Sequence, residues 1–213
     1  MVKAYKVPCT YRRLFKKYIS KHFPGEEKAL LAKTDQIYDG FKREVPDIGG
    51  RKNMLAGNLD LALAYFAFYE ASGKRVKGDA VKEIGGWMFS KMSFVNKFAD
   101  FNRPWLANLM NKVYVSYAKQ VEKHKTNGEW GNTWDIKLNP EGYREGCSFH
   151  FVGCPIVDFA KSHGYMDIMP CVCTIDHISA RLMNAKLLRN HTVAEGAESC
   201  DFWYVGNKST ATK

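Results

Sequence analysis

Residues 147–155 read CSFHFVGCP, and this segment determines the fold class expected for the C-terminal half of the chain. Apolar and polar side chains alternate over most of 147–152, which is the pattern of a β-strand with one buried face. Gly153 ends the strand, and Pro155 suits the first position of a helix. The segment therefore predicts a strand that leads directly into a helix, with Cys154 as the N-cap.

Strand periodicity and helix periodicity predict the elements on either side of this segment as well. A strand at 134–138 pairs with 147–153 through a turn at 139–142, and this makes a hairpin. We expect helices at 154–163 and 170–184, strands at 186–194 and 200–205 joined by a turn at 195–198, and a flexible tail at 207–213.

The first 125 residues or so have helical periodicity instead. The expected helices cover 11–22, 26–45, 54–73, 76–98 with an interruption at Gly85-Gly86, and 104–125. The third is apolar on nearly all sides and should be the most buried. The chain is thus predicted to be one α+β domain, 1–213. Its helical part, 1–128, packs on a mostly antiparallel four-stranded sheet within 129–206, with two helices inserted between the strand pairs.

Composition limits the class of protein. The 213 residues are 46% hydrophobic and 14% aromatic, which indicates a fully folded globular chain. No run approaches the roughly 18 apolar residues that span a bilayer, and the start lacks a signal peptide. We therefore expect a cytoplasmic protein without a membrane partner, and six reduced cysteines rather than disulfides.

The formal net charge of +10 raises the question of nucleic-acid binding. The basic residues are spread along the whole chain, and no nucleic-acid motif accompanies them. A solvated basic surface is the favoured interpretation, so no nucleic-acid partner is predicted, although the charge can attract small anionic substrates.

The residue types that carry chemistry concentrate between Cys147 and Phe202, where five of the six cysteines and four of the six histidines lie. Cys154 is the first candidate. A thiol at a helix N-terminus faces unpaired N–H groups and the positive end of the helix dipole, which lowers its pKa and suits a nucleophile. The alternative is a cysteine that only caps the helix and packs.

The expected helix 170–184 supplies a second group of candidates. Cys173, Asp176 and His177 are spaced i, i+3 and i+4, so they share one side of that helix. They could act as nucleophile and base, or chelate a metal, with the carboxylate orienting the ring. A core cysteine beside a surface Asp–His pair is an equally good interpretation. Cys171 and Cys173 form a weak metal motif, because they point about 200° apart. No cofactor is predicted, and a metal at the cysteine cluster stays an open alternative.

The last strand pair contributes the third group. Arg189 and His191 share one face of the expected strand 186–194, while Cys200 faces away from Asp201 on the next strand. An arginine beside the thiols suits a substrate carboxylate, since it can bind one with two parallel hydrogen bonds. The alternative is a surface arginine that pairs with an acid of the 195–198 turn. We predict substrate-binding roles for Arg189, His191, Cys200 and Asp201.

These motifs resemble the family named for L-2-amino-thiazoline-4-carboxylic acid hydrolase. The resemblance rests on Cys154-Pro155, on Cys173 with Asp176, and on the closing Gly196 and Cys200-Asp201-Phe202, with Arg189 and Thr192 between them. It covers about the last third of the chain.

The resemblance implies a hydrolase that acts on a non-peptide C–N bond of a cyclic amidine. Water would add at the ring carbon between nitrogen and sulfur and give N-carbamoyl-cysteine. The catalytic candidates are then Cys154, Cys173, Asp176 and His177, and Arg189 would hold the carboxylate of a small anionic heterocyclic substrate.

Two other functions stay open. The closing strand pair is also similar to small-ligand-binding domains of the vinyl-reductase type, which implies a non-catalytic ligand-binding or metal- or redox-sensing module. Nucleic-acid binding through the basic surface is the third hypothesis. The sequence leaves open whether the protein is a homo-oligomer.

Overall fold

A computed structural model describes residues 4–90 and 93–213 of the chain. It confirms the α+β prediction, with helices in the N-terminal half and an antiparallel sheet towards the C-terminus. The helices of the first half are α1 Cys9–His22, α2 Glu27–Glu44, α3 Ala56–Ala71, α4 Gly78–Ser90 and α5 Pro104–Thr126. No helix of the described residues is long and apolar enough to cross a membrane.

Helix α3 lies at the centre of the helical layer, as its sequence predicts. Leu63, Phe66 and Phe68 are fully buried. The Phe68 ring stacks on Phe15 of α1, with 4.6 Å between the ring centres. The Phe66 ring lies parallel to Phe159, with 6.1 Å between the ring centres. Every residue of this helix from Ala62 to Tyr69 is buried, which explains why its sequence lacks a polar stripe there.

Helix α4 is shorter than predicted and differs from the prediction in its middle. It continues through Gly85-Gly86 without a break. The expected C-terminal part of this helix includes residues 91–92, which lie outside the described residues, and 93–97 forms a 3-10 helix. A Cβ placed at Gly85 would make an ordinary van der Waals contact with Ile178 at 3.6 Å, so packing at this position does not require glycine.

The sheet has the order β1-β2-β4-β3, and all neighbouring strands are antiparallel. Its strands are β1 Asp135–Leu138, β2 Cys147–Val152, β3 Ala185–Leu188 and β4 Ser199–Gly206. The central pair β2–β4 places Phe151 opposite Cys200 and His150 opposite Asp201. Phe151 and Cys200 face the helices, so His150 and Asp201 lie on the other side of the sheet.

The inserted helices are α6 Pro155–His163, α7 Met169–Cys173 and α8 Ile175–Arg181. The prediction of one continuous helix at 170–184 is therefore wrong. The break is at Thr174, whose hydroxyl donates to the Cys171 carbonyl at 2.6 Å while its N–H donates to the same carbonyl at 3.1 Å. Side-chain bonds of this kind compete with the regular helical ladder.

The predicted strand 186–194 is also too long, because β3 ends at Leu188. Beyond it, the N–H groups of Asn190 and His191 donate to the Asp201 carboxylate at 2.8–3.1 Å instead of extending the ladder. Arg189 and His191 consequently do not share a face of a strand. A short 3-10 helix, Val193–Glu195, follows this loop.

The side of the sheet away from the helices is covered by the β1–β2 loop and by residues 207–213. Tyr143 stacks on Trp203 at 3.7 Å. Lys213 Nζ lies 2.5 Å from Asp201 Oδ2, and Lys186 Nζ donates to two carbonyls of the last five residues. The segment predicted as a flexible tail thus packs on the sheet.

Candidate functional site

A cavity lies between the helical layer and the inner face of the sheet. Its volume, counted as the space open to the centres of water-sized molecules, is about 130 Å³. Most of its walls are apolar, and they come from α1, α3, α4, the α7–α8 pair, β2 and β4. Such a site, concave and apolar with a few convergent polar groups, is typical of small-molecule binding. The polar and thiol side chains on its described walls are Tyr11, Asn58, Tyr65, Trp134, Cys154, Cys173, Asp176, Arg189 and Cys200.

Asp176 and Arg189 are the only charged side chains among the described residues of this wall. Arg189 Nη1 lies 2.7 Å from Asp176 Oδ2. The Asp176 side chain is 37% accessible, as expected for a group that lines a cavity. Burial raises the pKa of Asp176, and the Arg189 guanidinium opposes that shift.

Arg189 is held in place by three kinds of contact. Its Nη2 donates to the Cys173 carbonyl at 3.0 Å, and its guanidinium carbon lies 5.2 Å from the centre of the Phe202 ring. Only 7% of its side chain is exposed. The alternative of a surface arginine paired with the 195–198 turn is therefore wrong, because the partner is Asp176.

The three thiols on the wall come from three separate segments, as the sequence suggested. Cys154 precedes α6, Cys173 ends α7, and Cys200 lies in β4, where its sulfur accepts the Val193 N–H at 3.2 Å. Burial raises the pKa of Cys154 to about 11 and that of Cys173 to about 12. The N–H groups of Val157 and Ile156 act against the shift at Cys154 but do not overcome it. The expected low pKa of Cys154 is thus not found.

These pKa values predict slow alkylation of the cavity thiols. At pH 7 a thiol of pKa about 11 carries roughly 100-fold less thiolate than an ordinary cysteine. We expect iodoacetamide to modify Cys154 and Cys173 at least about 100-fold more slowly than Cys9, which is exposed. Peptide mass spectrometry on the native protein measures the three rates. Labelling of Cys154 as fast as Cys9 would show a reactive thiolate and contradict this assignment.

Three predicted site residues lie outside the cavity wall. His177 follows Asp176 on α8 but does not line the cavity, and burial lowers its pKa, with Arg189 and Arg181 adding to the shift. His191 and Asp201 lie on the far side of the sheet, where Asp201 is fully buried and binds the loop that carries Arg189. Asp201 thus supports the site without facing it.

The helical half supplies wall residues that the sequence did not single out as functional. Asn58 of α3 faces the cavity beside Tyr11 and Tyr65. The available signal was Asn58 itself, a polar residue in an otherwise apolar helix. Among the residues that the structure describes, no group of three or more His, Cys, Asp or Glu side chains is arranged to hold a metal ion.

An α+β fold with an apolar cavity and one ion pair on its wall has the features of a candidate small-molecule site. The chain belongs to the L-2-amino-thiazoline-4-carboxylic acid hydrolase family, whose family model matches residues 58–204. The match begins in α3 and ends in β4, so it contains the Asp176–Arg189 pair and all three cavity thiols, and it is wider than the last third of the chain. Neither a curated protein nor a solved structure matches the chain.

Proposed function

We propose that the protein is a hydrolase that opens 2-amino-thiazoline-4-carboxylate, or a closely related cyclic isothiourea, to the N-carbamoyl thiol. The observation that carries the proposal is the Asp176–Arg189 pair, whose carboxylate faces an otherwise uncharged cavity. The family to which the chain belongs supports the same reaction class.

The pair complements this substrate in charge. The amidine part of an amino-thiazoline is basic, and its planar cation can pair with a carboxylate through two hydrogen bonds, as a guanidinium does. Its carboxylate carries the opposite charge. A substrate with both groups can bind Asp176 through the amidine and Arg189 through the carboxylate. The cavity wall is neutral overall, so a substrate whose own charges balance suits it better than a simple anion.

The reaction then needs one group that moves a proton. In the proposed mechanism Asp176 accepts a proton from water as the water oxygen bonds to the ring carbon between nitrogen and sulfur. The C–S bond of the resulting tetrahedral carbon breaks as its hydroxyl becomes the urea carbonyl, and Asp176 returns its proton to the departing sulfur. The hydroxyl proton, which balances the charge of the amidine cation, leaves to solvent. The product is a urea with a free thiol, and one water is consumed. Burial, which raises the pKa of Asp176, brings it closer to the range where it can serve as base and acid.

The cavity thiols have a different role in this proposal. Because burial raises the pKa values of Cys154 and Cys173 to about 11 and 12, both are neutral at pH 7 and form part of the wall. A nucleophilic thiolate would require substrate binding to lower one of these pKa values strongly. The proposal therefore assigns the proton transfers to Asp176.

Turnover is the direct test. Incubation of the protein with 2-amino-thiazoline-4-carboxylate should yield a product heavier by one water, with one new thiol for each molecule consumed, as measured by mass spectrometry and thiol titration. Cys154→Ser and Cys173→Ser should each keep activity within about tenfold of the unsubstituted protein, since neither thiolate is required. Binding of the substrate without any product would favour the non-catalytic ligand-binding alternative and would contradict the proposal.

A further inference from the structure

A second chamber adjoins the cavity and is larger than it. It offers about 400 Å³ by the same measure. The two share part of a wall, which includes Asn58, Asp176 and Phe202. Asp176 therefore faces both spaces, and a molecule bound at its carboxylate can extend from one into the other.

The walls of the second chamber are mainly aromatic and sulfur-bearing side chains. They come from α3, α5, α8, β2 and β4 and from the segment before α5, and they include Phe101, Met110, Tyr114, Phe149, Met183 and Tyr204. Asp176 is the only charged residue among its described walls. An apolar surface of this kind gains free energy when an apolar group replaces water.

Two tyrosine hydroxyl groups on these walls lie within electrostatic range of Asp176. Burial raises the pKa of Tyr204 and of Tyr114, and the Asp176 charge adds to both shifts, so both hydroxyls lie within electrostatic range of that carboxylate. Neither hydroxyl is hydrogen-bonded to another residue in the parts of the chain that the structure describes. Buried hydroxyls usually have a partner, and a bound molecule can supply one.

We propose that the second chamber is a substrate subsite that takes an apolar substituent of the heterocycle whose amidine group binds at Asp176. This inference rests on the proposed function for the position of the amidine group. The bare amino-thiazoline carboxylate is one five-membered ring with two small groups and would leave the chamber empty. The substrate class is accordingly a cyclic isothiourea with an aromatic or branched aliphatic arm, and an acceptor atom on the arm can bind the tyrosine hydroxyls.

The chain offers a matched pair of glycines for the test. Gly57 of α3 lies on the chamber wall, and a Cβ built there would have no atom within 4 Å, so a leucine can fill space beside it. Gly40 of α2 has the same freedom but lines neither space. Leucine is a better helix former than glycine, so neither Gly57→Leu nor Gly40→Leu should unfold its helix. Ser179→Leu narrows the same chamber from α8 and serves as a second variant.

The probes are 2-amino-2-thiazoline and its 5-benzyl derivative, whose arm leaves the ring at the carbon next to the one that carries the carboxylate, with binding measured by isothermal titration calorimetry. We expect the benzyl compound to bind the unsubstituted protein at least about tenfold more tightly. Gly57→Leu and Ser179→Leu should each remove that gain and leave binding of the smaller probe unchanged, whereas Gly40→Leu should keep the gain. Equal affinities for the two probes would overturn the subsite, as would a benzyl gain that survives both chamber substitutions. If the benzyl probe binds more tightly in this way but the protein does not hydrolyse 2-amino-thiazoline-4-carboxylate, the result supports the subsite and refutes only the proposed hydrolysis.

Discussion

Replacement of Asp176 by asparagine should reduce turnover of 2-amino-thiazoline-4-carboxylate by about 1,000-fold, which is within the range lost when a general acid–base group is removed. The substitution preserves shape and leaves Arg189 a hydrogen-bond acceptor, but it removes the charge that pairs with the amidine and the site that accepts the proton of water. Steady-state kinetics should show a lower kcat as well as a higher KM, because the carboxylate is proposed to act in both binding and chemistry.

The matched control for this substitution is Asp158→Asn. Asp158 is an exposed aspartate of α6 and lies outside the cavity wall. Its replacement should leave kcat/KM within about twofold of the unsubstituted protein, since surface changes of this kind are usually nearly neutral. Turnover that persists in a folded Asp176→Asn protein would show that another group, such as a cavity thiol, performs the proton transfers.

The pH dependence of the same reaction offers a further check on Asp176. The base must be ionised, so the rate falls as pH drops through the pKa of this carboxyl group. Because burial raises that pKa, the midpoint of the acid limb should lie above about 3.9, the value of an unperturbed aspartate. The residual rate of the Asp176→Asn protein should not show this fall at acid pH.

The second large effect is on stability, and it concerns Asp201. This carboxylate is fully buried, accepts the N–H groups of Asn190 and His191, and lies 2.5 Å from Lys213 Nζ. Asparagine cannot accept all of these bonds and leaves the lysine without its charged partner. We expect Asp201→Asn to lower the free energy of unfolding by about 2–3 kcal/mol, which corresponds to a fall of about 5–10 °C in Tm.

Asp39→Asn is the control for this change. Asp39 also pairs with a basic side chain, Arg43 at 2.9 Å, and also accepts one backbone N–H, but it lies in a more exposed position on α2. Its replacement should shift the chemical-denaturation midpoint much less than Asp201→Asn does. Equal shifts for the two variants would show that the buried carboxylate does not hold the loop that carries Arg189.

The acid stability of the protein should depend on the same residue. The hydrogen bonds and the Lys213 charge outweigh burial and hold the pKa of Asp201 below its ordinary value. A carboxyl group whose pKa is lower in the folded state stabilises the fold at pH values above its unfolded pKa, and that contribution is lost as pH falls through the folded pKa. Asp201→Asn should therefore weaken the pH dependence of unfolding below about pH 4.

Local sequence patterns predicted the type of most elements in this fold, because each helix or strand has a clear apolar period. They failed where side chains form specific tertiary contacts. Thr174 divides the expected helix 170–184 by bonding to a carbonyl, and the Asp201 carboxylate ends β3 by taking the N–H groups that a ladder would use. Such contacts join residues that are brought together by the tertiary fold, and the periodic pattern of a single segment does not predict them.

The candidate site was predicted in part for the same reason. Cys154, Cys173, Asp176, Arg189 and Cys200 do come together on one wall. The pairing of Asp176 with Arg189, however, depends on how α8 packs against β3. The pKa of Cys154 was predicted in the wrong direction, because the helix N-terminus is a local feature while the burial that outweighs it comes from the whole helical layer.

A crystal structure of the Asp176→Asn protein in complex with 2-amino-thiazoline-4-carboxylate would test most directly whether Asp176 and Arg189 bind the substrate. We expect the heterocycle in the cavity between the helices and the sheet. Its amidine nitrogens should lie about 2.7–3.2 Å from the side-chain oxygen of residue 176, and its carboxylate should contact Arg189. A substrate bound anywhere else on the protein, with Arg189 still directed at residue 176 and the cavity empty, would show that this ion pair does not form the substrate site.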